Sequence, residues 1–238
     1  MMTAWRGSCL RLRGPFSSWG TVTGMTKMSN HIVVLDYGMG NLHSVEKALH
    51  SVSPRDKVSV GADLKLISSA DRIVFPGVGA MRDCMAEIKR LGLDTAVTDA
   101  IRSKPVLAIC VGMQALMIHS DENGGVDCLG LLPGEVKLFD SESSNGGSVK
   151  VPHMGWNSVI QTQSHAMWEG IDQGTRFYFV HSYFVKTEES ALIAASCRHG
   201  CEFTAAISRE NLFGVQFHPE KSANAGLRLL KNFVDWKV

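Results

Sequence analysis

Residues 105–114 read Pro105-Val106-Leu107-Ala108-Ile109-Cys110-Val111-Gly112-Met113-Gln114. Val106 to Ile109 is a short apolar run suited to a buried strand, and Gly112 to His119 is predicted as a helix directly after it. Between them, Ala108-Ile109-Cys110-Val111-Gly112 fits the pattern small-x-nucleophile-x-Gly, in which a strand turns sharply into a helix and presents a nucleophile at its carboxyl end. A helix N-terminus there would favour thiolate, and the Val111 N–H would face a developing oxyanion. The plain alternative is a buried, inert thiol, the commoner state of a cysteine at a strand end.

Working outward, the same strand-then-helix alternation recurs. Ile32 to Asp36, Lys57 to Val60 and Arg72 to Phe75 read as strands; Asn41 to Ser51, Met81 to Leu91 and Leu93 to Arg102 read as helices. That order implies an α/β fold with a mostly parallel sheet covered by helices on both faces. In the second half, strand-like runs crowd together at Glu135 to Phe139, Arg176 to His181, Ala191 to Ala195, Phe203 to Ile207 and Leu212 to Phe217. These predict antiparallel strands added in the C-terminal half, closed by a helix from Asn224 to Trp236.

Two further stretches carry chemistry. In Gly214-Val215-Gln216-Phe217-His218-Pro219-Glu220 a strand ends in His-Pro-Glu, so His218 could reach a nucleophile on a neighbouring strand while Glu220 orients its ring. In Phe75-Pro76-Gly77-Val78-Gly79-Ala80 the glycines let backbone approach a ligand, and an N–H from this loop could complete an oxyanion hole. Asp36-Tyr37-Gly38-Met39-Gly40-Asn41 lacks the third glycine of a dinucleotide fingerprint, His43 standing in its place, and no Gly-Lys-Ser/Thr phosphate loop occurs. No cofactor is expected.

Bulk properties narrow the class. The 238 residues are 45% hydrophobic, enough for one large domain, and 24 Lys and Arg against 23 Asp and Glu leave a formal charge of +1 with no field favouring nucleic acid. No apolar run approaches the roughly 20 residues of a membrane span. Six scattered cysteines fit reduced thiols in a cytoplasmic protein. Cys197-Arg198-His199-Gly200-Cys201 lacks the second ligand pair of a zinc site and is predicted as strand-turn-strand, so no metal is expected. Residues 1–30 contain no Asp or Glu and no hydrophobic periodicity. They read as a disordered extension, or as translation upstream of a start at Met25 or Met28, with an organelle transit peptide as the alternative.

The elbow, the Pro-Gly-x-Gly loop and His-Pro-Glu together resemble the class I (triad) glutamine amidotransferases. Within that family, Asp36 to Leu42, Phe75 to Gly79, Pro152-His153-Met154-Gly155-Trp156-Asn157, Tyr178 to Tyr183 and Phe217 to Ser222 are similar to the glutaminase subunits of imidazole glycerol phosphate synthase. The resemblance implies one amidotransferase domain over residues 31–238. It implies that Cys110 attacks the glutamine carboxamide, His218 passes a proton to departing ammonia, Glu220 holds His218, and a glutamyl thioester is then hydrolysed. By motif position it makes Gly77, Val78 and Val111 the oxyanion donors and lines the glutamine pocket with Gln114, Glu122, His181, Ser182 and Tyr183. It also implies a heterodimer with a (β/α)₈-barrel synthase subunit that uses the ammonia in histidine biosynthesis, with Asn41, Met154, Trp156 and Lys221 at the contact.

One departure stands in the elbow, where this chain has Ala108 and the family usually has glycine; a positive φ there would cost about 1 kcal/mol or more. Three alternatives stay open on sequence alone. They are a paralogue feeding a different synthase such as one modifying a surface sugar, a cysteine hydrolase sharing the elbow, and a non-catalytic subunit with a relic triad.

Overall fold

The structure, a computed structural model, describes Met1 and residues 29–142 and 148–238. The expectations for the N-terminal extension therefore lie outside the described residues, apart from Met1 and the last two positions of that stretch.

The strands are β1 (His31–Leu35), β2 (Lys57–Gly61), β3 (Arg72–Gly77), β4 (Val106–Cys110), β5 (His119–Ser120), β6 (Val126–Asp127), β7 (Glu135–Leu138), β8 (His153–Ser158), β9 (Ile160–Gln161), β10 (Arg176–His181), β11 (Tyr183–Lys186), β12 (Ile193–His199), β13 (Cys201–Arg209) and β14 (Leu212–Val215). The helices are α1 (Leu42–Val52), α2 (Leu64–Ser68), α3 (Met81–Arg90), α4 (Leu93–Ser103), α5 (Val111–Gln114) and α6 (Ala223–Asp235).

Twelve strands form one sheet, in the order β2-β1-β3-β4-β14-β13-β11-β7-β5-β6, with β12 and β9 attached beyond β13. From β2 to β14 the strands are parallel, while β13, β11 and β7 run on as antiparallel neighbours. This is the α/β class with added antiparallel strands. β3 and β4 are buried at every position, as near-continuous apolar strands covered on both faces should be. α1 buries Val45, Ala48 and Leu49, and α3 buries Met81, Cys84, Met85 and Ile88, each at helical spacing. α1 packs on α6, and α4 packs on α2 and α3.

Three sequence expectations change. The helix over Gly112 to His119 is a single turn, α5. Met113, Ala115, Leu116 and Met117 are all fully buried, so no polar face exists to run along the surface, and the chain instead bonds across to Leu131 and Leu132 through the Leu116 carbonyl. The strand expected over Ala191 to Ala195 begins as a 3₁₀ turn at Ser190–Leu192 and continues as β12 through His199. β8 was not read as a strand at all; it pairs with β10 in a separate two-stranded sheet. The Cys197 to Cys201 stretch is the turn between β12 and β13, with Gly200 at φ 72° and packed under Val149.

Candidate active site

The carboxyl ends of β3, β4 and β14 lie side by side, Gly77 opposite Cys110 and Ile109 opposite Val215. Ligands of open α/β sheets bind at such strand ends. Cys110 closes β4 with φ 54° and ψ −113°, a conformation that costs a non-glycine residue of order 1–3 kcal/mol and persists only when its surroundings enforce it. Two residues on, a Cβ at Gly112 would overlap the Phe75 carbonyl, so α5 lies tight against β3. Ala108 is an ordinary fully buried strand residue and is not among the positive-φ positions. The strain anticipated for Ala108 falls on Cys110 instead.

Beyond β14 the chain leaves the main sheet. The Gln216 N–H donates to the Ala205 carbonyl at 2.9 Å, and the His218 N–H donates to Tyr178 of β10 at 2.9 Å. His218 thus sits where the sheet meets the β8–β10 hairpin. Its Nδ1 is 2.9 Å from Glu220 Oε1, both side chains being buried, and its Nε2 has no hydrogen-bond partner among the described residues. The Ser222 hydroxyl holds the His218 carbonyl at 2.6 Å and accepts the Tyr178 N–H at 3.0 Å. Gly226 lets α6 close against the Pro219 carbonyl, which leaves no room for a Cβ.

Burial pulls the His218 pKa down, but Cys110 and then Glu220 outweigh it and lift the value to about 10. Such a histidine keeps its proton near pH 7.

Cys110 and His218 open into a pocket of about 390 Å³. It is lined as well by Val78, Val111, Gln114, Glu122, His181, Ser182 and Tyr183, all expected at the site from the sequence, by Lys221, expected instead at the partner contact, and by Gly79, Pro152 and Val180, which were not expected. Glu220 stands behind His218, and Gly77, the last residue of β3, is not part of the pocket lining. Asn41 caps α1 without a side-chain cap bond, and Met154 and Trp156 lie on the hairpin surface, 58% and 44% exposed. None of these three lines the pocket.

Several expected groups are already engaged. Glu122 Oε2 accepts the Met81 N–H at 2.8 Å and so caps α3. Both Gln114 Nε2 protons are used, on the Tyr183 carbonyl at 2.9 Å and Gln216 Oε1 at 3.0 Å, leaving its oxygen for a ligand. The Val78 N–H donates to the Met39 carbonyl at 3.3 Å, so it is not aimed at an oxyanion in this conformation. His181 is bonded on both ring nitrogens, to Tyr183 O at 2.7 Å and to His153 Nδ1 at 2.9 Å. Burial above all drives His181 down to about 3, and burial with nearby His199 drives His153 to about 4, so both rings are neutral near pH 7.

Sequence reasoning assigned no role to Gln216, His153 or Ser222. Gln216 had a signal: an amide inside an apolar strand end, with Val215 and Phe217 beside it, needs buried partners. Among the described residues no cluster of His, Cys, Asp and Glu could hold a metal ion, and no helix is long and apolar enough to cross a membrane.

Residues 33–236 match the family described as Glutamine amidotransferase class-I. The chain belongs to that family. This amidotransferase is 58% identical over 208 residues to the imidazole glycerol phosphate synthase subunit HisH of Acinetobacter baylyi, covering 87% of this chain and 98% of that relative. It is 54% identical to the HisH subunit of Dechloromonas aromatica, covering 90% and 100% of the two chains. Among solved structures, PurLQS from Thermotoga maritima superposes with TM-score 0.66 at 20% identity over 87% of this chain and 99% of the other. A crystal structure of a glutamine amidotransferase does so with TM-score 0.63 at 16% identity, over 85% and 97%. These two likenesses speak for the amidotransferase fold, and the HisH relatives for its branch.

Proposed function

We propose that this amidotransferase hydrolyses glutamine at Cys110 and passes the ammonia to a (β/α)₈-barrel partner that forms imidazole glycerol phosphate in histidine biosynthesis. The observation that carries the reading is Cys110, in its strained elbow, sharing one pocket with a His218 whose far nitrogen rests on Glu220 at 2.9 Å. The Cys110 thiolate attacks the glutamine carboxamide carbon, and His218 Nε2–H protonates the departing nitrogen as ammonia leaves. Neutral His218 then takes a proton from water, whose oxygen attacks the thioester and releases glutamate and the thiolate. Glu220 keeps the ring oriented and stabilises its charge.

The oxyanion draws on the Val111 N–H, with Gly77 and Val78 as the loop donors; Val78 can serve only after its bond to Met39 opens. Gln114 Oε1, Glu122 and the Ser182 and Tyr183 segment hold the substrate, whose α-ammonium suits Glu122. The partner reading rests on the relatives' names and on an exposed apolar pair, Met154 and Trp156, with Asn41 and Lys221 as the further contact residues the resemblance implies. Its buried free thiols suit a reducing cytoplasm.

The test is glutamate release by the wild type and by Cys110→Ala, each with and without the barrel subunit. Release that rises with the partner and vanishes in Cys110→Ala is expected; equal release by both proteins sinks the mechanism.

A further inference from the structure

A chain of hydrogen bonds runs through the interior from the hairpin to the reactive sulfur, and its directions can be worked out from either end. At the hairpin, backbone fixes the Asn157 amide. The Ser158 N–H donates to Oδ1 at 2.8 Å, and Nδ2 donates to the Arg198 carbonyl at 2.9 Å. The second Nδ2 proton is left for His153 Nε2, 3.1 Å away, which must accept. A neutral imidazole that accepts on Nε2 carries its proton on Nδ1. His153 therefore donates from Nδ1 to His181 Nε2 at 2.9 Å, and His181 donates from its own Nδ1 to the Tyr183 carbonyl at 2.7 Å.

Starting from the pocket gives the same answer, because a carbonyl can only accept. The Tyr183 oxygen also takes a Gln114 Nε2 proton at 2.9 Å, Gln114 gives its other proton to Gln216 Oε1 at 3.0 Å, and Gln216 Nε2 donates to Cys110 Sγ at 3.5 Å. Gln216, Gln114, His153 and His181 are all buried, and the bonds from His153 to His181, from Gln114 to Gln216 and from Gln216 to Cys110 lie away from solvent. Two carboxamides interrupt any proton relay, so the chain orients groups rather than moving protons. A thiolate at Cys110 would gain from such a donor in addition to the His218 imidazolium, since one-turn α5 has little dipole to offer.

We propose that Gln216 is a further catalytic residue whose Nε2–H stabilises the Cys110 thiolate. His153 and Asn157 are positioning residues that hold Gln216 in register through His181, Tyr183 and Gln114. The inference rests on the glutaminase reading for its purpose, but its first test does not need turnover.

That test is the pH dependence of Cys110 alkylation by iodoacetamide, followed on the Cys110 peptide by mass spectrometry in the full-length chain. The ionisable groups acting on or facing the sulfur are His218 with Glu220, Tyr37 and Cys84, with Glu122, His181, Tyr183 and Lys221 lining the same pocket, and none of them is altered. Gln216→Glu keeps an acceptor for Gln114 and turns the donor on the sulfur into an acceptor. Its alkylation midpoint should rise by about one pH unit, about tenfold in thiolate fraction. Gln216→Met, uncharged and of similar size, should move it in the same direction by about half a unit.

His153→Phe keeps the ring stacking on Phe179 and His199 but breaks the chain. Its partner-stimulated kcat should fall about tenfold with a smaller change in KM. His153→Gln, which can accept from Asn157 and donate to His181, should recover most of the loss. Unshifted alkylation midpoints in both folded Gln216 variants overturn the proposal, as does a His153→Gln enzyme no better than His153→Phe. A wild type that alkylates normally yet releases no glutamate with its partner counts against the glutaminase reading instead.

Discussion

The pocket has two walls built on different principles. The triad wall comes from parallel, fully buried strands and is tightly packed: Cys110 holds φ 54° two residues before Gly112, which lies under the Phe75 carbonyl, and His218 is held by Ser222 while Gly226 approaches Pro219 closely. The opposite wall is the β8–β10 hairpin, where the usual pattern is inverted. His153 is buried, while Met154 and Trp156 stand in solvent. Buried polar groups need directed partners, and exposed large apolar groups mark a surface that something covers. The first wall is shaped for chemistry and the second for connecting that chemistry to what docks outside.

The two walls should fail separately. The largest effect is expected from His218→Ala, which should lower kcat by about 10⁴-fold while the affinity for the barrel subunit is unchanged; a titration of partner binding alongside the glutaminase assay checks both halves. Trp156→Ala should do the reverse, weakening association by about 30-fold, about 2 kcal/mol, while urea unfolding of the free chain moves within about 0.5 kcal/mol.

The walls also titrate in opposite directions. The His218 pKa is raised from 6.5 to about 10, so the stability it contributes is complete below pH 6.5 and is lost as pH rises through about 10. His153 and His181 are depressed from 6.5 to about 4 and about 3, so their contribution is complete above pH 6.5 and is lost as pH falls toward those values. Unfolding free energies across pH 4 to 10 should show Cys110→Ala flattening the alkaline limb and His153→Phe flattening the acid limb. A mutant that flattens the other wall's limb breaks the comparison. The smallest effect is expected at Ala108. Because it is a regular strand position, Ala108→Gly should destabilise by about 0.5–1 kcal/mol rather than relieve strain, as a thermal melt would show.

The difference between the walls also decides how much could be read from the sequence. The parallel strands announce themselves as apolar runs, and Cys110, His218 and Glu220 stand at strand ends where nucleophile, base and orienting acid belong. The pocket residues Gln114, Glu122, His181, Ser182 and Tyr183 came from resemblance, since nothing in their spacing distinguishes a substrate contact from a helix cap. Glu122 in fact also caps α3. β8 was invisible as a strand because His153-Met154-Gly155-Trp156-Asn157-Ser158 puts its polar residues inside and its apolar ones out, contrary to the alternation that signals a sheet. The helix expected after Cys110 runs too far because Met113 to Met117 is buried on every side, Gln114 included, and periodicity cannot then place an end. Directions of hydrogen bonds such as Asn157 to His153 depend on partners far along the chain, and no local pattern encodes them.

The central claim is that Cys110 is the nucleophile of a glutaminase, and an electrophilic glutamine analogue tests it most directly. In the complex with the barrel subunit, the analogue should add one equivalent of mass to the peptide carrying Cys110 alone, in step with loss of glutamate release, with excess glutamine protecting both. Full modification of Cys110 with activity retained, or loss of activity with the label on another cysteine, would contradict the account.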